Sequence, residues 1–191
     1  MIHLSRRSLL AGAAAAATGT IIFPSHSRAI QDEKRVVKSG RLKQSLCRWC
    51  YGKIPLPDLC KAAQEMGLPA IDLLSPGDWE KVREYGLVCS MGYPGLGKRR
   101  GDFIPNGFNN PKSHDLLVKE LEEAIPVAAK HGVPNVIAMF GNKSFGAEKP
   151  REDKEAIESC VTGLNRVKKL AEEHKVTICV ELLNSLVNHK D

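Results

Sequence analysis

The sequence predicts an α/β fold built on a parallel sheet, and three observations carry that prediction. From Leu42 onward, short apolar runs alternate with longer segments whose apolar residues recur at helical spacing. The strand-plus-helix units average about 30 to 35 residues, the size of one unit of an eight-stranded barrel. No Gly-x-Gly-x-x-Gly fingerprint follows the first apolar run, so a dinucleotide-binding sheet fits less well. The expectation is an incomplete (β/α)8 TIM barrel of about five strands and four helices, because closing the barrel takes about 250 residues.

The elements follow in order. Residues 42–47 read as a first strand and residues 57–66 as a first helix, with Leu59, Ala62, Ala63 and Met66 on one face and Gly67 as its stop. Residues 70–74 form a second strand; Pro76-Gly77-Asp78 then turns into a helix over residues 79–85, closed by Gly86. Residues 87–91 are a third strand, and a Gly- and Pro-rich loop runs through Asn110. Its start, residues 91–97, reads as a flexible lid, because Pro94 spoils a phosphate cradle. Ser113-His114-Asp115 opens a helix that runs to about Lys130, with His114 in its cap, and Pro126 should kink it. Residues 135–140 are a fourth strand. Residues 152–174 are a long helix with Ile157, Val161, Leu164, Val167, Leu170 and Ala171 on its buried face, and residues 177–182 are a fifth strand. Strands alternating with helices in this way require right-handed crossovers and parallel pairing.

The 191 residues, 42% apolar and 26% charged, suit one ordinary globular domain. Residues 1–29 read as a twin-arginine signal peptide: Arg6 and Arg7 sit in Ser5-Arg6-Arg7-Ser8-Leu9-Leu10, an alanine-rich apolar stretch follows, and Ser27-Arg28-Ala29 offers small residues for cleavage. The stretch is too short and too rich in Ala and Gly to span a bilayer well. The expectation is export to the periplasm, cleavage after Ala29 and no stable membrane insertion, with residues 30–40 a linker and 41–191 the barrel part. The net charge of +6 falls to +3 once the three arginines of residues 1–29 are removed. That excess is weak and argues against a nucleic-acid partner.

Six cysteines are present. Cys47, Cys89 and Cys179 lie in or beside apolar runs, where cysteine behaves as a small hydrophobe. Cys47-Arg48-Trp49-Cys50 alone has motif spacing. A redox pair should open a helix, and a zinc pair needs further ligands at matching spacing; Pro55 and Pro57 follow closely and no second pair exists, so packing is the preferred reading. Trp49 and Tyr51 could wall a pocket, although core packing is the simpler role for Trp49.

The candidate chemistry centres on Glu181. The run from Val176 to Leu183 is apolar enough for a strand buried on both faces, and a carboxylate near its C-terminal end points at a site rather than at bulk water. Asn184 could orient that carboxylate or bind a substrate hydroxyl, and loop capping explains it equally well. His189 could face the site or simply be solvated. Asn142, in Gly141-Asn142-Lys143, follows the fourth strand on the face where barrel active sites form, and turn chemistry is its alternative. Asp72, inside the second strand, has no assigned role.

Four blocks in order, residues 41–51, 67–74, 132–137 and 180–185, resemble the exported, hydroxypyruvate-isomerase-like branch of the xylose-isomerase-like TIM barrels. The resemblance runs from Arg41 to Asp191, and the basic run Lys98-Arg99-Arg100-Gly101-Asp102 departs from it. It implies a metal-dependent isomerase that interconverts hydroxypyruvate and tartronate semialdehyde through an enediolate. Glu181 would be metal ligand and catalytic proton carrier, and hard oxygen ligands suit Mg²⁺ or Mn²⁺; by position alone, Asn184, Asn142 and His189 are the candidates to contact the substrate. The family's other ligands come from later strands, beyond Asp191, so this chain by itself is expected to lack a complete site and to be inactive. The same scaffold also carries sugar epimerases and dehydratases. A non-catalytic half-barrel that pairs with another chain, or with itself through unclosed sheet edges, is the remaining alternative.

Overall fold

Two parallel strand pairs, bridged by a segment that is not itself a regular strand, form the sheet of this protein in a computed structural model. The structure describes residues 35–95, 103–144 and 149–184. The expected export segment with Arg6 and Arg7, the basic run at Lys98 to Arg100, and His189 lie outside the described residues. Strand β1 (Ser45–Cys47) pairs with β2 (Ala70–Asp72), and β3 (Asn135–Met139) pairs with β4 (Thr177–Glu181). Helices α1 (Leu56–Met66), α2 (Pro76–Arg83), α3 (His114–His131) and α4 (Asp153–His174) connect them, with 3-10 turns at Arg48–Tyr51 and Pro111–Ser113. The alternating, all-parallel order is the partial α/β barrel that the periodicity predicts.

The expected third strand, residues 87–91, occupies its place but not as a regular ladder. It makes only isolated parallel bridges, Ala70 with Val88, Leu74 with Gly92, and Gly92 with Val136. The reason lies in Asp72. Its carboxylate accepts the Met91 amide at 3.1 Å and the hydroxyls of Ser45 and Ser90, so a side chain takes a position that a backbone carbonyl would fill in a regular ladder. Past it, Leu73 turns into the left-handed region at φ 57° and donates its amide to Met91 O at 2.7 Å. The ladder then resumes on the other side. Gly92 donates to Asn135 O at 2.9 Å and accepts from Ile137 N at 3.0 Å, while Asn135 Nδ2 reaches Ser90 O at 2.7 Å. Gly92 has no room for a side chain, since a Cβ would lie 2.6 Å from the Trp79 ring.

Strand parity sorts the side chains. Leu46, Ile71, Val136, Ala138 and Ile178 face the helices and join one core with Leu59, Trp79, Val82, Leu121 and Ile125. Trp79 anchors it fully buried, donating its indole N–H to Leu74 O at 3.0 Å. Ile137 and Met139 face the opposite side and form a smaller apolar cluster with Phe103, against which Leu73, Met91, Tyr93 and Leu183 pack. That second cluster lies on the inner face of the barrel arc.

The helices depart from expectation in informative ways. Helix α2 begins at Pro76, so Pro-Gly-Asp is its first turn rather than a turn before it; proline's fixed φ suits the first helical position. Helix α3, by contrast, runs through Pro126 to His131, close to the expected end. His114 does not cap it: Asn110 accepts the Lys112 amide at 3.1 Å ahead of the helix, and the buried His114 ring sits against Phe108, with Nε2 3.0 Å from Phe108 O and 3.1 Å from Ser159 Oγ. In α4 the buried stripe is Ala156, Cys160, Gly163, Val167 and Ala171, rotated from the expected one; Ile157 and Val161 are 56% and 54% exposed. Small residues win because α3 and the Phe108 loop come close. A Cβ on Gly163 would meet Phe108 at 2.6 Å and His114 at 2.9 Å.

Trp49 is 69% exposed, which overturns its expected place in the core; the 3-10 turn after β1 carries it outward, and Trp79 fills the interior instead. Strand β4 is likewise not buried on both faces. Thr177 and Glu181 are exposed and the residues between are half-buried, because among the described residues β3 is its one strand neighbour.

Asp72→Ala should cost about 2 kcal/mol or more of unfolding free energy, since it strands donors from three places, with Asp72→Asn recovering part of the loss. Denaturant titration measures both, and an Asp72→Ala protein as stable as the wild type would show that the stitch is dispensable. Gly163→Leu should lose about 1–3 kcal/mol through overpacking against Phe108 and His114. A melting temperature unchanged by that substitution would mean that α4 is free to move away.

Candidate functional site

In parallel barrels the functional face is the one at the C-terminal strand ends, where the loops after each strand converge. Here that mouth collects Cys47 and the Trp49 turn after β1, Leu73 after β2, Tyr93 after the bridging segment, Gly141 and Asn142 after β3, and Glu181 at the end of β4.

Glu181 sits opposite Met139 in the β3–β4 register. Paired residues of parallel strands point to the same face, so Glu181 shares the inner face with Ile137 and Met139 and not the helix face of Val136 and Ala138. Its backbone carbonyl accepts the Phe140 amide at 3.1 Å, which pins the strand end. Beneath it lies the apolar cluster of Phe103, Ile137 and Met139, with Tyr93 and Phe103 meeting edge to face at a ring separation of 5.4 Å. A carboxylate above such a floor is available to a bound molecule on its open side.

Asn142 lies beside a cleft of about 340 Å³ between the end of β3, the start of α4 and the residues after β4. Asn109, Lys143, Arg151, Ile157 and Leu183 also line it; Glu181 does not. The loop before α3 builds this cleft by pairing with the end of β3: Phe108 N donates to Met139 O at 3.0 Å, Asn109 N to Phe140 O at 2.9 Å, and Asn142 N to Pro105 O at 3.1 Å. Asn109 Nδ2 then reaches Asn142 O at 2.6 Å. Gly141, at φ 104°, has the Asn109 side chain against its α-carbon, so no other residue fits there. The amide oxygens of Asn109 and Asn142 are buried and accept no hydrogen bond among the described residues. Two buried acceptors beside one cleft call for donor groups.

The structure therefore brings Asn142 and Glu181 to the same end of the sheet without placing them in one pocket. Asn184 is exposed just beyond Glu181. Sequence reasoning missed Asn109, fully buried, and left Asp72 unassigned. The Asn-Asn-Pro run could have flagged Asn110 as a cap ahead of a helix, but nothing in the sequence separates Asn109 from an ordinary loop residue. Cys50, expected to pack, is exposed, and Cys47 is half-buried.

A metal centre is not formed by these residues alone. Among the described residues no three His, Cys, Asp or Glu side chains come together to hold an ion, so Glu181 stands as a single donor. No helix among them is long and apolar enough to cross a membrane.

Neither a protein-family model nor a curated protein matches the chain. Solved structures do. The AP endonuclease, family 2, from Brucella melitensis superposes with a TM-score of 0.59 at 14% identity, over 75% of this chain and 57% of that one. The 3-keto-D-glucoside 4-epimerase from E. coli, in its apo form, gives 0.58 at 15% identity over 75% and 57%. IOLI protein, in a structure with a bound zinc atom, gives 0.54 at 14% identity over 73% and 51%. The chain thus spans a little over half the length of these structures. At such identities the likeness establishes the fold: this chain is similar to one arc of the α/β barrel that repair endonucleases and sugar epimerases share.

Proposed function

We propose that this chain is the N-terminal part of a barrel isomerase that moves a carbonyl group between neighbouring carbons of a small hydroxy-keto acid, hydroxypyruvate being the leading substrate. The observation that carries this reading is the position of Glu181, a carboxylate on the inner face at the C-terminal end of β4, above an apolar floor. In that reaction a base removes a proton from the hydroxyl-bearing carbon, and the electron pair forms an enediolate. The proton then returns to the former carbonyl carbon, while a second proton passes between the two oxygens. A single carboxylate facing both carbons can take and return the carbon-bound proton.

The zinc atom in the IOLI structure supports a divalent ion in this fold, and the oxygen donor of Glu181 suits Mg²⁺ or Mn²⁺. When bound, such an ion polarises both substrate oxygens. The described residues do not hold one by themselves; Glu181 would be one donor beside its role in proton transfer, with the remaining donors outside them. Asn184 would orient Glu181 or bind a substrate hydroxyl. His189, outside the described residues, would contact the substrate. The twin-arginine reading of residues 1–29 belongs to the same proposal and makes the protein periplasmic.

One observation favours a second reading, a sugar epimerase. The buried oxygens of Asn109 and Asn142 ask for hydroxyl donors, which a polyhydroxylated substrate supplies in number. The E. coli epimerase supports it through its fold, but a fold does not select a chemistry.

An isomerisation assay of the native protein, with hydroxypyruvate set against a panel of ketoses in Mg²⁺ or Mn²⁺, separates the two. In Glu181→Gln, turnover should fall about 10²- to 10⁴-fold with the melting temperature unchanged. Full retention of activity would remove Glu181 from the mechanism. Asn142→Ala should raise KM for ketoses more than for hydroxypyruvate if the epimerase reading holds. N-terminal sequencing of the exported protein should begin at Ile30, and a protein retaining Arg6 and Arg7 would overturn the cleavage reading.

A further inference from the structure

We infer that Cys47 and Cys50 form a thiol–disulfide exchange site at the mouth of the barrel arc, where they close to an intramolecular disulfide by reaction with a small external disulfide. The geometry makes the pair. Cys47 ends β1 and is the N-cap of the 3-10 turn Arg48–Tyr51, so the two cysteines stand at positions i and i+3 of one turn. Cys47 is itself extended, at φ −87° and ψ 117°, and the turn that follows curls Cys50 back toward it. The rise of about 2.0 Å per residue puts the two α-carbons roughly 6 Å apart, inside the range of about 4.4–6.8 Å that a disulfide spans. Cys50 lies close enough for its charge to bear on the Cys47 thiol. The turn that holds them is braced: Arg48 Nη1 donates to Tyr51 O at 2.5 Å, and Ile54 N to the same carbonyl at 3.0 Å.

Accessibility divides the roles. Cys60, Cys89 and Cys160 are buried inside the helix-facing core, and burial pushes the Cys89 thiol up to about 12, which leaves it inert. Cys50 is exposed. Cys47 is half-buried, and its thiol is held above the usual cysteine value by burial first and by a negative charge on Cys50 second. Cys50 is therefore the entry thiol and Cys47 the resolving one. As a thiolate, Cys50 attacks one sulfur of a low-molecular-weight disulfide such as glutathione disulfide and releases one thiol. Cys47 then loses its proton and attacks Cys50 Sγ, releasing the second thiol. The two cysteines are oxidised by two electrons in all, and the external disulfide is reduced to two thiols. The product fixes the turn that carries the exposed Trp49 at the mouth. None of this rests on the role of Glu181.

The test equilibrates the reduced native protein with mixtures of reduced and oxidised glutathione, quenches with acid, alkylates, and maps peptides by mass. The expected result is a peptide carrying Cys47 and Cys50 that has lost two hydrogens, takes up no alkylating agent, and regains both thiols with dithiothreitol. Cys47→Ser should instead hold a stable glutathione adduct on Cys50, while Cys50→Ser should react far more slowly. A wild-type protein in which both thiols stay alkylatable, or in which Cys50 accumulates the glutathione adduct without closing, overturns the inference. The wild-type measurement decides it even where a variant fails to fold.

Discussion

The carboxylate of Asp72 is the constraint on which the arc depends. The two ladders, β1 with β2 and β3 with β4, share no strand; what unites them is the bridging segment from Val88 to Gly92. Asp72 grips that segment through Ser90 and the Met91 amide while holding Ser45 on β1 from the other side. Asn135 completes the row by binding Ser90 O from β3. A polar row across an inner face is stable only when its members satisfy one another, and here the acceptor of each step meets the donor of the next. The irregular ladder and the left-handed Leu73 are consequences of giving a side chain this work.

A second constraint fixes the height of the mouth. Gly163 and its small neighbours on α4 let Phe108 and His114 approach, and His114 and Ser159 both reach the Phe108 carbonyl. With Phe108 held, the loop before α3 lies along the end of β3 and delivers Asn109 to Asn142. The cleft beside them thus derives from helix packing some distance from it. Its buried amide oxygens show that the packing was not arranged to satisfy every polar group internally.

Much of the architecture was legible. Apolar periodicity located the four helices and the four paired strands of the described residues, because a helix or strand packed on one side must repeat its apolar residues at its own period. The third strand was read in the right place with the wrong regularity, since no local pattern announces that a carboxylate will replace a backbone acceptor. The stripe on α4 was misread for a related reason. Ile157 and Val161 look like core by hydropathy, yet contact distance favoured alanine, cysteine and glycine, and that distance depends on Phe108, fifty-five residues before Gly163.

For the site, the sequence by itself determined that a carboxylate closes the last strand, that an asparagine follows β3 and that two cysteines lie three apart, since these are facts of order and spacing. Only the tertiary structure decided their meaning. The β3–β4 register turned Glu181 to the inner face, the Phe108 loop brought Asn109 to Asn142, and a 3-10 turn rather than a core placed Cys50 in solvent beside Cys47. Hydrophobic pattern fixes which residues lie along an element because it depends on near neighbours in the chain. Which groups meet depends on register and approach between distant elements, and those are set by packing that no single segment encodes.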